Sequence, residues 1–115
     1  MTSGIKTTLF PVTDLAKAKA IFSTLLGLDP QTDAPYYVGY DVADQHIGLV
    51  PNGHANGMTG PVNYWPVDDI AVAIKGLVDA GAELRQEPSE VGGGRVVATL
   101  VDADGNPIGL MQDAV

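Results

Sequence analysis

Leu9-Phe10-Pro11-Val12-Thr13-Asp14-Leu15-Ala16 returns about 55 positions later as Tyr64-Trp65-Pro66-Val67-Asp68-Asp69-Ile70-Ala71. A second block, Asp41 through Leu49 (DVADQHIGL), returns at a slide of about 61 as Asp102 through Leu110 (DADGNPIGL). Two blocks matching in the same order mark an internal repeat with a period near half the chain. In each copy a Pro-Val pair ends a short strand and an aspartate opens a helix. Asp14 precedes an apolar face of Leu15, Ala18, Phe22, Leu25 and Leu26, and Gly27 supplies a left-handed stop. Asp69 precedes Ile70, Ala73, Ile74 and Leu77, with Gly81 as the stop. The pair Asp68-Asp69 is therefore read as helix capping with favourable dipole charge, not as two catalytic carboxylates.

Working outward, each half reads as strand, helix and then several strands. Residues Pro35–Val42, Gln45–Pro51, Glu83–Glu87, Arg95–Val101 and Pro107–Gln112 are the strand candidates. Asp102-Ala103-Asp104-Gly105-Asn106 is a turn by composition, and Val42–Asp44 is its counterpart. Pro51–Pro61 reads as the connector between halves, with His54 solvated inside it. Gly92-Gly93-Gly94 is a hairpin loop and not a phosphate cradle, because neither Lys-Ser/Thr nor a helix start follows it. The expectation is one α+β domain over residues 1–115, with modules of about 1–57 and 58–115. Neither half alone buries its helix and sheet well, so the halves are expected to pack together or to exchange between chains.

At 115 residues and 11.9 kDa, 45% hydrophobic, the chain has enough apolar material for one real core. It has no cysteine, which excludes disulfides, thiolate metal sites and Cys nucleophiles. Six Lys/Arg against fourteen Asp/Glu give a net charge of −8. Such a chain lacks the cations that release counterions from a phosphate backbone, so no nucleic-acid partner is expected. The same field would attract a cationic small molecule. No apolar run approaches the ~20 residues of a membrane span, and Met1–Lys6 lacks a signal-peptide layout. No membrane partner and a cytoplasmic location are the corresponding expectations.

The doubled strand–helix–three-strand module, with Val12-Thr13-Asp14-Leu15 before one helix and Val101-Asp102-Ala103-Asp104-Gly105-Asn106-Pro107-Ile108-Gly109-Leu110 near the end, resembles the vicinal oxygen chelate superfamily. That superfamily includes glyoxalase I, extradiol dioxygenases, fosfomycin-resistance enzymes and bleomycin-resistance proteins. Ala103 stands where that turn usually has proline. The resemblance implies two βαβββ modules forming a cupped mixed sheet, and a homodimer. It also implies four metal-ligand positions, one on the first and one on the last strand of each module. Those positions fall on Thr7, Gly48, Val62 and Gly109, none of which carries an imidazole or carboxylate. The reading is therefore that no metal and no other cofactor is used, and that the Lewis-acid chemistry of the metal-dependent members is absent.

Strand alternation then nominates a lining. If Gly48 and Gly109 face inward, so do His46, Val50, Pro107 and Met111, together with Thr7, Leu9, Val62 and Tyr64. Phe10 and Trp65 turn to the helix side. Pairing across the Val42–Asp44 turn sets Tyr40 opposite His46, Val38 opposite Gly48 and Tyr36 opposite Val50. Thr99 faces Gly109, with Val97 and Arg95 farther along. The ligand-binding candidates are thus Thr7, Leu9, Tyr36, Tyr40, His46, Gly48, Tyr64, Arg95, Thr99, Gly109 and Met111. The two glycines either open a floor for a guest or make room for bulky neighbours.

Three functions remain in view. The first is a metal-independent small-molecule binder of the bleomycin-resistance type, sequestering a cationic aromatic or heterocyclic compound and so serving antibiotic resistance. The second is a metal-free lyase or isomerase with His46 as general acid/base, helped by Tyr40 or Thr7. The third is a dimeric interaction module with a filled cavity.

Overall fold

Both helices begin at the aspartates that the repeat marks. In the computed structural model, which describes residues 2–114, Asp14 accepts a hydrogen bond from Lys17 N at 3.0 Å and opens α1 (Leu15–Leu26). Asp69 accepts from Val72 N at 3.2 Å and opens α2 (Ile70–Asp79). Each side chain satisfies an amide that has no partner within its helix. Gly27 ends α1 at φ 70°, in the left-handed region where an L side chain is strained, and its N–H reaches Ser23 O at 2.9 Å. α2 is capped at Ala80, and Gly81 follows at φ 117° as the stop that the sequence marks, with Gly81 N–H reaching Val78 O at 3.0 Å and Ala82 N–H reaching Leu77 O at 2.9 Å.

The chain divides into two compact units, Lys6–Val62 and residues 63–114 with residues 2–5. In the first, β1 (Thr7–Pro11), β2 (Thr32–Ala34), β3 (Tyr37–Val42) and β4 (Gln45–Val50) lie in the order β2-β3-β4-β1. β1 and β4 are parallel and the other pairs antiparallel. In the second, β5 (Val62–Pro66), β6 (Glu83–Gly92), β7 (Arg95–Val101) and β8 (Pro107–Gln112) lie in the order β5-β8-β7-β6. There β5 and β8 are parallel. The same mixed βαβββ topology thus appears twice, an α+β architecture.

Each helix covers one face of its own strands. Val38, Tyr40 and Leu49 are buried against Phe10, Leu15, Ala18 and Phe22, with the Phe10 and Phe22 rings 5.0 Å apart. In the second unit Val67, Ile70, Ala73, Ala98, Leu100 and Leu110 form the core, with Trp65 packed on it. Period-2 alternation sends Phe10, Ile47, Leu49, Trp65, Ile108 and Leu110 to the helix side, as the pattern predicts. Among the described residues no helix is long and apolar enough to cross a membrane.

Three expectations change. A short strand, β2, occupies Thr32–Ala34; it is mostly exposed and polar, so no hydrophobic alternation announces it. β6 runs through Pro88 to Gly92 instead of stopping at Glu87. It lies at the edge of its sheet, with register shifts between Leu84 and Gln86, Gln86 and Ser89, and Glu90 and Gly92, and the second of these spans Pro88 and its missing N–H. The third change bears on the site. Ala43 and Asp44, at φ 48° and 68°, form a two-residue turn, so Val42 pairs with Gln45 and Asp41 with His46. The pairing of Tyr40 with His46 is therefore off by one residue, which inverts every side chain of β3.

Candidate functional site

The sheet face opposite α1 gathers side chains from three strands. Thr7 and Leu9 of β1 lie beside His46 and Gly48 of β4, and these lie beside Asp41 and Gly39 of β3. Tyr37, two residues before Gly39, shares that face. His46 sits at the centre of a hydrogen-bonded chain. Its Nδ1 is 2.7 Å from Asp41 Oδ1, and its Nε2 is 2.5 Å from the Tyr37 hydroxyl. A carboxylate only accepts, so the neutral imidazole carries its proton on Nδ1. Nε2 then presents a lone pair, and the Tyr37 hydroxyl donates to it. The two rings lie 11° from parallel with centroids 5.9 Å apart.

Two glycines make room for this chain. A Cβ on Gly39 would come within 2.8 Å of His46 Cε1 and 2.9 Å of Tyr37 Cε2. One on Gly48 would fall on the Tyr37 hydroxyl and 2.5 Å from Leu9 Cδ2. Real carbons do not approach so closely, so a larger residue at either position would displace the rings. The His46 side chain keeps 27% of its exposure, Tyr37 is half-buried and Thr7 is buried.

The second unit repeats the device with different chemistry. Gly109 pairs with Tyr64 on one side and Thr99 on the other, while Met111 pairs with Val97. A Cβ on Gly109 would lie 2.6 Å from Tyr64 Cδ1, so here too a tyrosine ring covers the glycine. Burial pushes the Tyr64 phenol above its ordinary value, while a hydrogen bond with Thr99 pulls the other way. Thr99 Oγ1 is also 3.2 Å from Gln86 Oε1.

Thr7, Leu9, His46 and Gly48 thus share one face of the first unit, and Tyr64, Thr99, Gly109 and Met111 one face of the second. Two tyrosines are corrections. Tyr40 turns to the helix side at 0% exposure, its hydroxyl 2.8 Å from Ser23 Oγ and 3.1 Å from Lys19 O. Tyr36 lies in the turn between β2 and β3 at 72% exposure. The inversion of Tyr40 follows from the Ala43-Asp44 turn, whose alanine at positive φ is a poor sequence signal, whereas Tyr36 leaves the strand because Pro35-Tyr36 is itself the turn that joins Ala34 to Tyr37. Arg95 stands at the start of β7, its Nε 2.6 Å from Asp113 Oδ1 at the surface. Tyr37, Gly39 and Asp41 escape the sequence reading. The spacing Asp41-x4-His46 would have disclosed them, since a two-residue turn puts those residues opposite each other.

The residues do not fit the chelated metal that the resemblance implies. Of Thr7, Gly48, Val62 and Gly109 only Thr7 has a side-chain donor atom, a neutral hydroxyl. The spaces over the glycines are taken by Tyr37 and Tyr64. Among the described residues no group of three His, Asp or Glu could hold an ion. A separate open hollow of about 530 Å³, lined by Thr2, Ser3, Pro66, Val67, Asp68, Gln112 and Asp113, contains none of the nominated residues.

Comparison with known proteins adds the following. The family profile described as Glyoxalase/Bleomycin resistance protein/Dioxygenase superfamily matches residues 4–110. A search of curated proteins returns no match. Among solved structures, a hypothetical protein from Bacillus halodurans C-125 superimposes with a TM-score of 0.76 at 16% identity, over 97% of this chain and 95% of that one. A glyoxalase/bleomycin resistance protein/dioxygenase superfamily member from Vibrio splendidus 12B01 gives 0.70 at 16% identity, over 94% and 97%. Methylmalonyl-CoA epimerase from Mycobacterium tuberculosis gives 0.72 at 18% identity, over 99% and 90%. At these identities the likeness is one of fold.

Proposed function

This chain belongs to the glyoxalase/bleomycin resistance protein/dioxygenase superfamily, and from that premise we propose that it binds a small cationic aromatic or heterocyclic molecule without a metal. One observation carries the reading. Where the superfamily's chelating members are expected to hold ligands, this chain has glycines overlaid by tyrosine rings, Tyr37 on Gly48 and Tyr64 on Gly109. A ring face attracts a cation and stacks on another ring. In the first unit Leu9 and the partly buried His46 adjoin the Tyr37 ring, and in the second unit Thr99 and Met111 share the face of Tyr64. The net charge of −8 favours a cation and opposes a polyanion. The coenzyme A thioester named for the epimerase neighbours carries phosphates and is not carried over to this chain.

The test is thermal denaturation with a panel of cationic aromatic compounds. A guest at about 100 times its Kd should stabilise the native state by about 2.7 kcal/mol. Tyr37→Leu and Tyr64→Leu should each reduce that gain. A panel that leaves the melting temperature unmoved, while divalent metal ions raise it, would overturn the reading. The homodimer is part of the same proposal, and light scattering of the purified chain tests it.

A second reading, acid–base catalysis with His46 as the base, is favoured by the 2.7 Å contact that orients its imidazole on Asp41. His46→Ala with binding retained and turnover lost would support it.

A further inference from the structure

The hydroxyl of Tyr37 is held differently from that of Tyr40, three residues farther along the same strand. Tyr40 is fully buried and meets a serine hydroxyl and a helix carbonyl, which is all that a structural phenol needs. Tyr37 instead meets an imidazole nitrogen at 2.5 Å, with a carboxylate 2.7 Å behind the ring. Glycine inside a strand sacrifices stability, yet Gly39 and Gly48 both lie under this chain. A hydroxyl on a base, with the base held by a third group, is the arrangement that activates an oxygen nucleophile.

We infer that Tyr37 is the reacting group of this face, a phenol activated by His46 and Asp41 to attack a small acyl electrophile. As the Tyr37 oxygen bonds to the acyl carbon, its proton passes to His46 Nε2, and the imidazolium is stabilised by the Asp41 carboxylate. The bond to the leaving group breaks, and that group departs with the proton from His46. The product is an aryl ester on Tyr37. Water, giving a proton to His46, then attacks the ester carbonyl; the phenol leaves and recovers that proton. The sum is hydrolysis of one acyl bond, with every proton returned. Asp41 is a positioning residue, since it acts through the imidazole. This inference goes beyond guest binding and does not depend on it.

The chain supplies its own control. Tyr36 is 72% exposed, so its rate is that of a freely accessible phenol in the same molecule. The probe is an aryl sulfonyl fluoride, which forms an O–S bond to a phenol, loses fluoride and leaves a stable mark readable by peptide mass spectrometry. Tyr37 should be marked at least about tenfold faster than Tyr36, although it is the more buried, because general base assistance is worth that much or more. Asp41→Asn should lower the Tyr37 rate and His46→Gln should lower it further. An unchanged Tyr36 rate and circular dichroism spectrum would show the variants folded. Release of 4-nitrophenol from 4-nitrophenyl acetate should fall to background in Tyr37→Phe. Tyr37 marked no faster than Tyr36, or at the same rate in His46→Gln, would overturn the inference. Guest binding is read by thermal shift with the cationic panel and acylation by mass spectrometry in the absence of a guest, so the two readings fail separately.

Discussion

Gly48 and Tyr64 are the residues at which packing and chemistry meet most directly. Gly48→Ala would set a methyl against the Tyr37 hydroxyl and Leu9. Overpacking of this kind costs about 1–3 kcal/mol, and urea denaturation would measure it. Part of that loss should disappear when Gly48→Ala is made together with Tyr37→Phe, because the displaced hydroxyl is gone; a strictly additive cycle would mean that the two residues do not press on each other. Tyr64 gives a prediction in pH. Burial disfavours its phenolate, so its value in the folded chain lies above the ordinary 10.0. A raised value means that the native state holds its proton longer than the unfolded one. Its contribution to stability is complete below pH 10.0 and is lost as the pH rises through the folded value. Alkaline titration of tyrosinate absorbance should therefore show a late contribution from Tyr64 that is absent in Tyr64→Phe. A Tyr64→Phe variant with the same titration tail as the wild type would contradict this.

Among the elements, the β3–β4 hairpin decides what the site contains. Its two-residue turn sets Tyr37, Gly39 and Asp41 on the His46 face and sends Tyr40 to the helix. Ala43 occupies this turn at φ 48°, where an alanine Cβ is strained by about 1 kcal/mol. Ala43→Asn, which tolerates that region, should stabilise the chain by about 1 kcal/mol and raise Tm by about 4 °C. Calorimetry would record it, and an unchanged or lower Tm would mean that the turn relaxes to another form. The same alanine explains what the sequence hid. The helices are legible because caps and stops are local: Asp14, Gly27 and Asp69 act within one turn of chain. β7 and β8 are legible because their apolar, largely β-branched or aliphatic runs are bounded by the Gly92-Gly93-Gly94 loop and the Asp102–Asn106 turn. Register is legible only through turn chemistry, and Ala43-Asp44 lacks the Asn-Gly or Asp-Gly that would announce a two-residue loop. That turn alone moves Tyr40 off the site face and brings Tyr37 and Asp41 onto it, while Thr7, Leu9 and Gly48 keep their face because β1 and β4 pair without a turn between them.

For the whole molecule the repeat and the charge are the two properties legible from composition and order alone. The repeat fixes the doubled βαβββ topology; the charge says how the chain meets other ions. Fourteen acidic groups against six basic ones repel one another in the native state and draw cations towards it. Salt weakens both effects, because the Debye length falls from about 30 Å at 0.01 M to about 8 Å at 0.15 M. The two consequences run in opposite directions. Raising salt over that range should increase Tm, since self-repulsion in the compact state is screened. It should weaken the affinity for a cationic aromatic guest and leave a neutral guest of the same shape unaffected, since rings and methyls bind without the field. Thermal melts and equilibrium titrations in parallel salt series test both arms. A cationic guest whose affinity ignores salt would show that the acidic surface takes no part in recruiting it, and recognition would then rest on the tyrosine faces alone.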